Sequence, residues 1–412
     1  MRLYAFQGLR YDRPAADIDP LVAPPYDQID DTLRDRLHAQ APHQFGWLTK
    51  PVAGESGDPY RESTRLHQAW MADGTVTRDA EPSLYAYSID LAGGGRRLGV
   101  MCLAGVEDPA NGIIRAHEAT LDKPLADRVA LLRANRVDLE PVFFLSEDGG
   151  ELDRLLLADM AGASPIALHR DGDGHRHVLY RITDPERIAL YRELLAPLSV
   201  AIADGHHRYK TACRFAFEEG AQPGTAAGAK LTVVTSISSP GLAIDPIHRA
   251  LSTPLDAAKV AHLVRAKEVL EVSTGVEVAA AVAAAPQPAI GVWPSGGKAE
   301  VWQLDAAQAP ESIPEGARNL AVTLLHGLVL AALGYAPETA TDGTVIYRSS
   351  PEKLATELAA GSLAVGLLLP PMQPQEFAAA IANGDLLPPK STRFLPKVFS
   401  GLVWADHDSE LA

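Results

Sequence analysis

One stretch constrains this chain more than any other: Ala201–Ala212, reading Ala-Ile-Ala-Asp-Gly-His-His-Arg-Tyr-Lys-Thr-Ala. Leu198, Val200 and Ile202 alternate before it as a strand does, and Tyr209, Ala212, Cys213 and Ala216 recur after it at helical spacing. A strand running through glycine into a helix is the unit of α/β architecture. The opening turn of such a helix presents backbone N–H groups and the positive end of the helix dipole, and Gly205 lets a ligand come close. The motif is therefore a place for a phosphate, with His206, His207, Arg208 and Lys210 clustered around it.

A chain of 412 residues exceeds what one core covers, so two domains are expected, 1–250 and 251–412. The net charge of -15 disfavours nucleic acid and anionic membrane as partners, while a local basic pocket still suits a small anion. Cys102 and Cys213 belong to no C-x-x-C or ligand cluster, which fits a reducing cytoplasm. The amino terminus has no signal-like apolar stretch. The longest apolar run, Leu320–Leu333, is too short to span a bilayer, so a soluble, cytoplasmic protein is expected.

Four other segments carry signals. In Leu21–Asp27 two prolines stiffen an extended loop and hold Tyr26 and Asp27 as a wall of a site or as a rigid turn. In Arg115–Thr120 the pair His117-Glu118 suits acid/base work or the capping of the helix around Asp127–Asn135, which carries Arg128. A zinc protease is excluded there, because Leu121 stands where H-E-x-x-H needs its second histidine. A second His-Arg pair, His248-Arg249, closes a strand. Finally Leu387–Lys397 places Lys390, Ser391, Thr392 and Lys397 in a proline-braced loop suited to an oxyanion.

Several nucleotide and metal signatures fail. Gly93-Gly94-Gly95 is a hairpin turn without dinucleotide spacing, and Gly296-Gly297-Lys298 lacks the first glycine and the hydroxyl of a P-loop. Asp171–Gly174 resembles the start of a calcium loop but reads as a turn. Beyond residue 250 the pattern predicts helices at Ala257–Leu270, Val276–Ala285 and Leu320–Leu333. It then predicts a strand–helix alternation from Gly343 to Ala382 and a last strand at Gly401–Trp404.

Taken together, Ala23–Asp27, His117–Arg133, Ala203–Ala212 and Pro388–Lys397 resemble, in order, the family catalogued as domain of unknown function 1015. Asp204-Gly205-His206-His207-Arg208 is also similar to the signature of the ParB/sulfiredoxin-like superfamily, most closely in its ADP-dependent free-serine kinases. The resemblance implies a mixed α/β (α+β) fold, with a ParB/sulfiredoxin-like nucleotide-binding core and a smaller C-terminal α/β domain. It implies a nucleotide (ADP, ATP or CTP) with Mg²⁺ in attendance, a small-molecule acceptor, and phosphoryl transfer. The alternatives are a ParB-like nucleotide-binding regulator or CTPase, whose clamp would be a homodimer, and a phosphatase of a small phosphoester such as phosphoserine. Sulfinic acid reduction is excluded, since His206 replaces the cysteine it requires.

On the kinase reading the opening of the Gly205 helix cradles a diphosphate. His206, His207 and Arg208 neutralise it and Lys210 is an outer contact. Asp204 holds Mg²⁺ or a histidine, and Glu118 or Asp27 is the general base beside His117 or Arg128. Tyr26 and Arg128 touch the acceptor, and Lys390, Ser391, Thr392 and Lys397 grip a phosphate or carboxylate.

Overall fold

Alternation in Leu84–Asp90 sets up the larger sheet: Leu84 and Ala86 face one side, Tyr85, Tyr87 and Ile89 the other. The computed structural model describes residues 1–54, 57–118, 122–272, 274–335 and 343–412. Ala119, Thr120 and Leu121 of the segment expected to precede a helix lie outside them. The described residues divide into two units: 1–116 with 122–242 and 396–412, and 117–118 with 243–395. Each unit mixes helix and sheet, so the fold is α/β in the mixed sense.

In the first unit the strands run Ile114–Arg115, Val200–Asp204, Val142–Ser146, Ala229–Ser236, Arg96–Gly105, Leu84–Asp90, Arg176–Ile182 and Ala167–Arg170, with Leu3–Tyr4 also on Arg96–Gly105. Val200–Asp204 is parallel to Ile114–Arg115 and antiparallel to Val142–Ser146, which is itself parallel to Ala229–Ser236. One face carries Leu84, Leu98, Val100, Phe144, Ile202 and Val234 into a core closed by Leu152, Leu156, Ile188 and Tyr191 of the helices Glu151–Met160 and Pro185–Leu195.

The other face is covered by the two ends of the chain. Phe399 packs on His177 at 4.8 Å, Phe6 on Tyr85 at 5.3 Å, and the Gly8 N–H donates to the Tyr85 hydroxyl at 3.0 Å. Trp404 is fully buried against Tyr11 and Phe45, and its indole N–H donates to His67 Nε2 at 3.2 Å. Burial lowers the His67 pKa to about 4, which keeps the ring neutral and able to accept.

The second unit has a sheet ordered Val264–Val269, Glu300–Leu304, Ala289–Pro294, Val365–Leu368, His248–Leu251 and Ile346–Arg348. Helices Gly275–Ala284 and Pro351–Ala359 pack together on it. Gly275 permits this, since a Cβ there would lie 2.1 Å from the Pro351 carbonyl oxygen.

Three predicted elements differ. The helix expected over Ala257–Leu270 stops at Val260, and Val264–Val269 is an edge strand paired with Glu300–Leu304. Backbone pairing overrides the helical propensity of Ala, Lys and Glu there. The helix expected over Leu320–Leu333 starts at Ala321 and widens into a π-turn over Leu325–Leu330. The strand expected at Gly401–Trp404 is a bend through Val403, with Gly401 at φ +92°; pairing resumes at Trp404, which bridges Leu9, and continues in Ala405–Asp406. Among the described residues no helix is long and apolar enough to cross a membrane.

The packing of Trp404 predicts that Trp404→Ala costs about 3–5 kcal/mol in urea unfolding; a loss below about 1 kcal/mol would remove the C-terminal segment from the core.

Candidate active site

Val200–Asp204 delivers Asp204 to the end of its strand, and Gly205 turns the chain into the helix His206–Glu218. Gly205 sits at φ +92°, in the left-handed region that glycine occupies without penalty. A Cβ at this position would also lie 2.9 Å from Arg208 Nε, so the arginine occupies the space a side chain would need. As N-cap, Gly205 brings no side chain to the N–H groups of the first turn.

Asp204 is the hub of this turn. Its Oδ2 accepts from Arg208 at 2.6 Å and its Oδ1 from Lys397 at 2.7 Å. Burial pushes its pKa upward, but Lys397 and then Arg208, with His206 adding to them, hold it down to about 2. Arg208 is itself buried and also donates to the Pro141 carbonyl. Against the cost of burial, Asp204 and then Glu140 keep its pKa well above the ordinary value. Both terminal nitrogens of Arg208 are thus committed to the protein, while its buried Nε has no hydrogen-bond partner among the described residues. His206 and His207 are half-buried, and Lys210 is exposed on the same helix.

The proline loop joins this group. Tyr26 opens a short 3-10 turn, Tyr26–Gln28, and its N–H donates to Glu140 Oε1 at 2.8 Å. The Arg128 guanidinium lies 4.2 Å from the centre of the Tyr26 ring, donates to the Thr49 carbonyl at 2.8 Å, and stands 3.8 Å from Glu140 Oε2. Burial raises the Tyr26 pKa to about 12 although Arg128 opposes it. Asp27 is exposed, next to the buried Tyr26. Tyr26, Asp27, Arg128, Asp204, Gly205, Arg208 and Lys397 therefore share the first unit.

Glu140 and Lys230 belong to this cluster and were not anticipated from the sequence. Lys230 is buried, bonded to Asp138 and to the Glu140 carbonyl at 2.7 Å, and burial lowers its pKa. Burial likewise raises the pKa of Glu140, against Arg208 and Arg128. The available signal was the acid-apolar-acid run Asp138-Leu139-Glu140 leading into a buried strand.

In the second unit His117 is 1% exposed, and its Nε2 lies 2.7 Å from Thr392 Oγ1 and 3.7 Å from Glu118 Oε1. Glu118 Oε1 accepts the Ser391 N–H at 3.0 Å, and the Ser391 hydroxyl turns back to the Pro388 carbonyl. Lys390 is exposed at φ +55°, with its ammonium 4.9 Å from the Tyr347 ring centre. The expected grouping of Lys390, Ser391, Thr392 and Lys397 is divided: the first three join His117 and Glu118, while Lys397 belongs to the first unit.

The magnesium expectation for Asp204 meets a carboxylate whose two oxygens are each bonded to a cation, so it does not fit a metal ligand in this arrangement. Asp171, Asp173 and His175 do converge, but Asp171 accepts the Asp173 and His175 N–H groups at 3.0 and 2.9 Å and so closes the predicted turn.

A mixed α/β protein with a strand–glycine–helix turn, its carboxylate clamped by two cations, is the class these features define. Residues 3–323 match the family described as a protein of unknown function, DUF1015, and the chain belongs to that family. No curated protein matches it. Among solved structures it is similar to a conserved hypothetical protein from Pyrococcus furiosus, at 15% identity and a TM-score of 0.35 over 75% of this chain and 94% of that one. A free serine kinase in complex with AMP is 14% identical, with a TM-score of 0.36 over 75% and 91%. A C-terminally truncated SbnI from Staphylococcus aureus is 14% identical, with a TM-score of 0.34 over 72% and 84%. Likeness at this level fixes neither activity nor site.

Because the folded pKa of Asp204 lies below its ordinary 3.8, its stabilisation is present above about pH 4 and is lost as pH falls toward 2. Asp204→Asn is expected to flatten that acid limb in urea titrations at successive pH values and to cost about 3 kcal/mol at pH 7, since it strands two cations. An unchanged acid limb would show that Asp204 does not carry it. Gly205→Ala is expected to cost about 1–3 kcal/mol from backbone strain and the close approach of Arg208.

Proposed function

We propose that this protein is a nucleotide-dependent phosphotransferase acting on a small hydroxyl metabolite, serine-kinase-like and built on a ParB/sulfiredoxin-like core. The observation that carries the reading is the Gly205 turn: a helix opening without a capping side chain, beside a carboxylate that holds Lys397 and Arg208. Phosphoryl transfer asks mainly for positioning and neutralisation of charge, and this turn supplies both. The backbone of the helix opening, with His206 and His207, takes the diphosphate, and Lys210 lies further out. Lys397, oriented by Asp204, supplies positive charge to the transferring group. Tyr26 and Arg128 form an acceptor wall, and Lys390, Ser391 and Thr392 are proposed as an oxyanion contact of the second unit.

A carboxylate orients the acceptor hydroxyl and takes its proton as oxygen attacks phosphorus; the bond from phosphorus to the leaving nucleotide breaks in the same displacement. Asp27, exposed beside Tyr26, and Glu118, paired with His117, are the two carboxylates proposed for that role. The motif resemblance directs the choice of donor toward ADP and of acceptor toward serine.

Calorimetry with ADP, ATP and CTP, each with and without Mg²⁺, is expected to show binding by at least one nucleotide, weakened about tenfold or more in Lys397→Ala. No binding at millimolar nucleotide would end the proposal. With nucleotide and serine, product analysis is expected to show phosphoserine; inorganic phosphate released from phosphoserine alone would instead identify a phosphatase. Of Glu118→Gln and Asp27→Asn, the variant that loses about 100-fold or more in kcat while keeping its nucleotide affinity identifies the base.

A further inference from the structure

Arg97 sits in the middle of the first unit's sheet, on Arg96–Gly105, and is 2% exposed. Its guanidinium lies 4.6 Å from the centre of the Phe143 ring, two strands away. Among the described residues neither terminal nitrogen has a hydrogen-bond partner, although both are fully shielded from solvent. A buried guanidinium without an acceptor is costly, and native proteins seldom leave one so. Burial lowers its pKa to about 10, with Tyr87 and Asp204 the groups that pull the other way. Neither offers it an acceptor in full: Asp204 is shared between Lys397 and Arg208, and the Tyr87 hydroxyl lies 2.6 Å from His177 Nδ1.

The neighbouring strand brings a second polar group close on this side of the sheet. Gly99, two residues along the same strand, has no room for a Cβ, which would fall 2.8 Å from Thr235 Oγ1. That hydroxyl is also buried without a partner. Ala201 and Ala203, small residues, line the strand that leads to Asp204. Stacking on Phe143 fixes the plane of the guanidinium and leaves its forked edge for a planar or tetrahedral oxyanion.

We infer that Arg97 is the buried anchor of an oxyanion subsite next to Asp204, gripping one phosphate or carboxylate group through its two terminal nitrogens. The inference rests on the phosphotransferase reading for which molecule carries the oxyanion, and on the Arg97 geometry alone for the subsite. The phosphate of a nucleotide and the carboxylate of an acceptor share this chemistry.

The full chain would be titrated calorimetrically with inorganic phosphate, pyrophosphate, ADP, adenosine, L-serine and ethanolamine, in the wild type, Arg97→Met and Arg97→Lys. Thermal unfolding without ligand would be measured alongside. Arg97→Met is expected to melt at or above the wild-type temperature, because it removes an unpaired buried charge, and to bind the anionic probes about 10- to 100-fold more weakly. Arg97→Lys loses the fork and is expected to weaken them about tenfold. Loss confined to phosphate, pyrophosphate and ADP assigns the subsite to the nucleotide; loss confined to L-serine, with ethanolamine unaffected, assigns it to the acceptor carboxylate. Wild-type affinity for every anion in Arg97→Lys, or no anion bound by the wild type, overturns the inference. Binding of phosphate or L-serine that depends on Arg97, with no nucleotide bound, leaves the subsite standing and ends the phosphotransferase reading instead.

Discussion

The Asp204 carboxylate is the contact on which the candidate site depends. One oxygen holds an arginine from the helix that follows it, the other a lysine from near the C-terminus. Neither cation would be tolerated at its depth without a counter-charge, and the carboxylate would not ionise there without them. The interaction therefore ties two segments far apart in sequence, and it does so at a turn where the backbone can approach a ligand closely. Lys230 with Asp138, and Glu140 with Arg208 and Arg128, extend the same bargain behind it. Their charges are buried and compensated locally, which favours one arrangement of the cluster over its alternatives.

The second unit handles a buried arginine differently. Arg249 is wholly buried and donates to the Ile247 and Pro389 carbonyls and to His326 Nε2 at 3.0 Å, with its face 4.9 Å from the Tyr347 ring centre. Burial, with Arg249 beside it, brings the His326 pKa to about 3, so that ring accepts as a neutral base. All three of its nitrogens are satisfied by protein groups. That arginine braces the loop before Lys390 and the π-turn carrying His326, with a protein acceptor for each of its three nitrogens. The contrast with Arg97 is one of satisfaction, not of burial.

The strand–glycine–helix turn was legible because its three parts are local: period-two alternation, a glycine, then period-3.6 spacing. The Tyr26 loop and its neighbour Arg128 were legible as types of residue but not as a pair, since the approach of an arginine to an aromatic ring is set by tertiary packing. The predicted helix over Ala257–Leu270 failed for a related reason: Val264–Val269 finds a partner in Glu300–Leu304, and no count within the segment reveals that strand. Lys397 was grouped with Lys390 by proximity in sequence, yet the chain passes from one unit to the other between Leu395 and Pro396. Arg97 left no signal, because a charged residue in an otherwise apolar strand reads as an exposed position.

What separates a structural charge cluster from a site is whether its charges balance among themselves. Lys230 balances Asp138, and Glu140 faces two arginines that also donate to carbonyls, Arg208 to Pro141 and Arg128 to Thr49. Around Asp204 one cation is left over: Lys397 is bonded to it and Arg208 is shared between it and Glu140, while Arg97 adds to the positive field without a bond, as does His206. Packing alone gives no reason to hold a third cation there, since an apolar side chain of similar volume would serve the sheet better. On the proposed reading an anion completes this excess of positive charge, and the same excess that costs the empty protein stability strengthens its grip on that anion in a low dielectric.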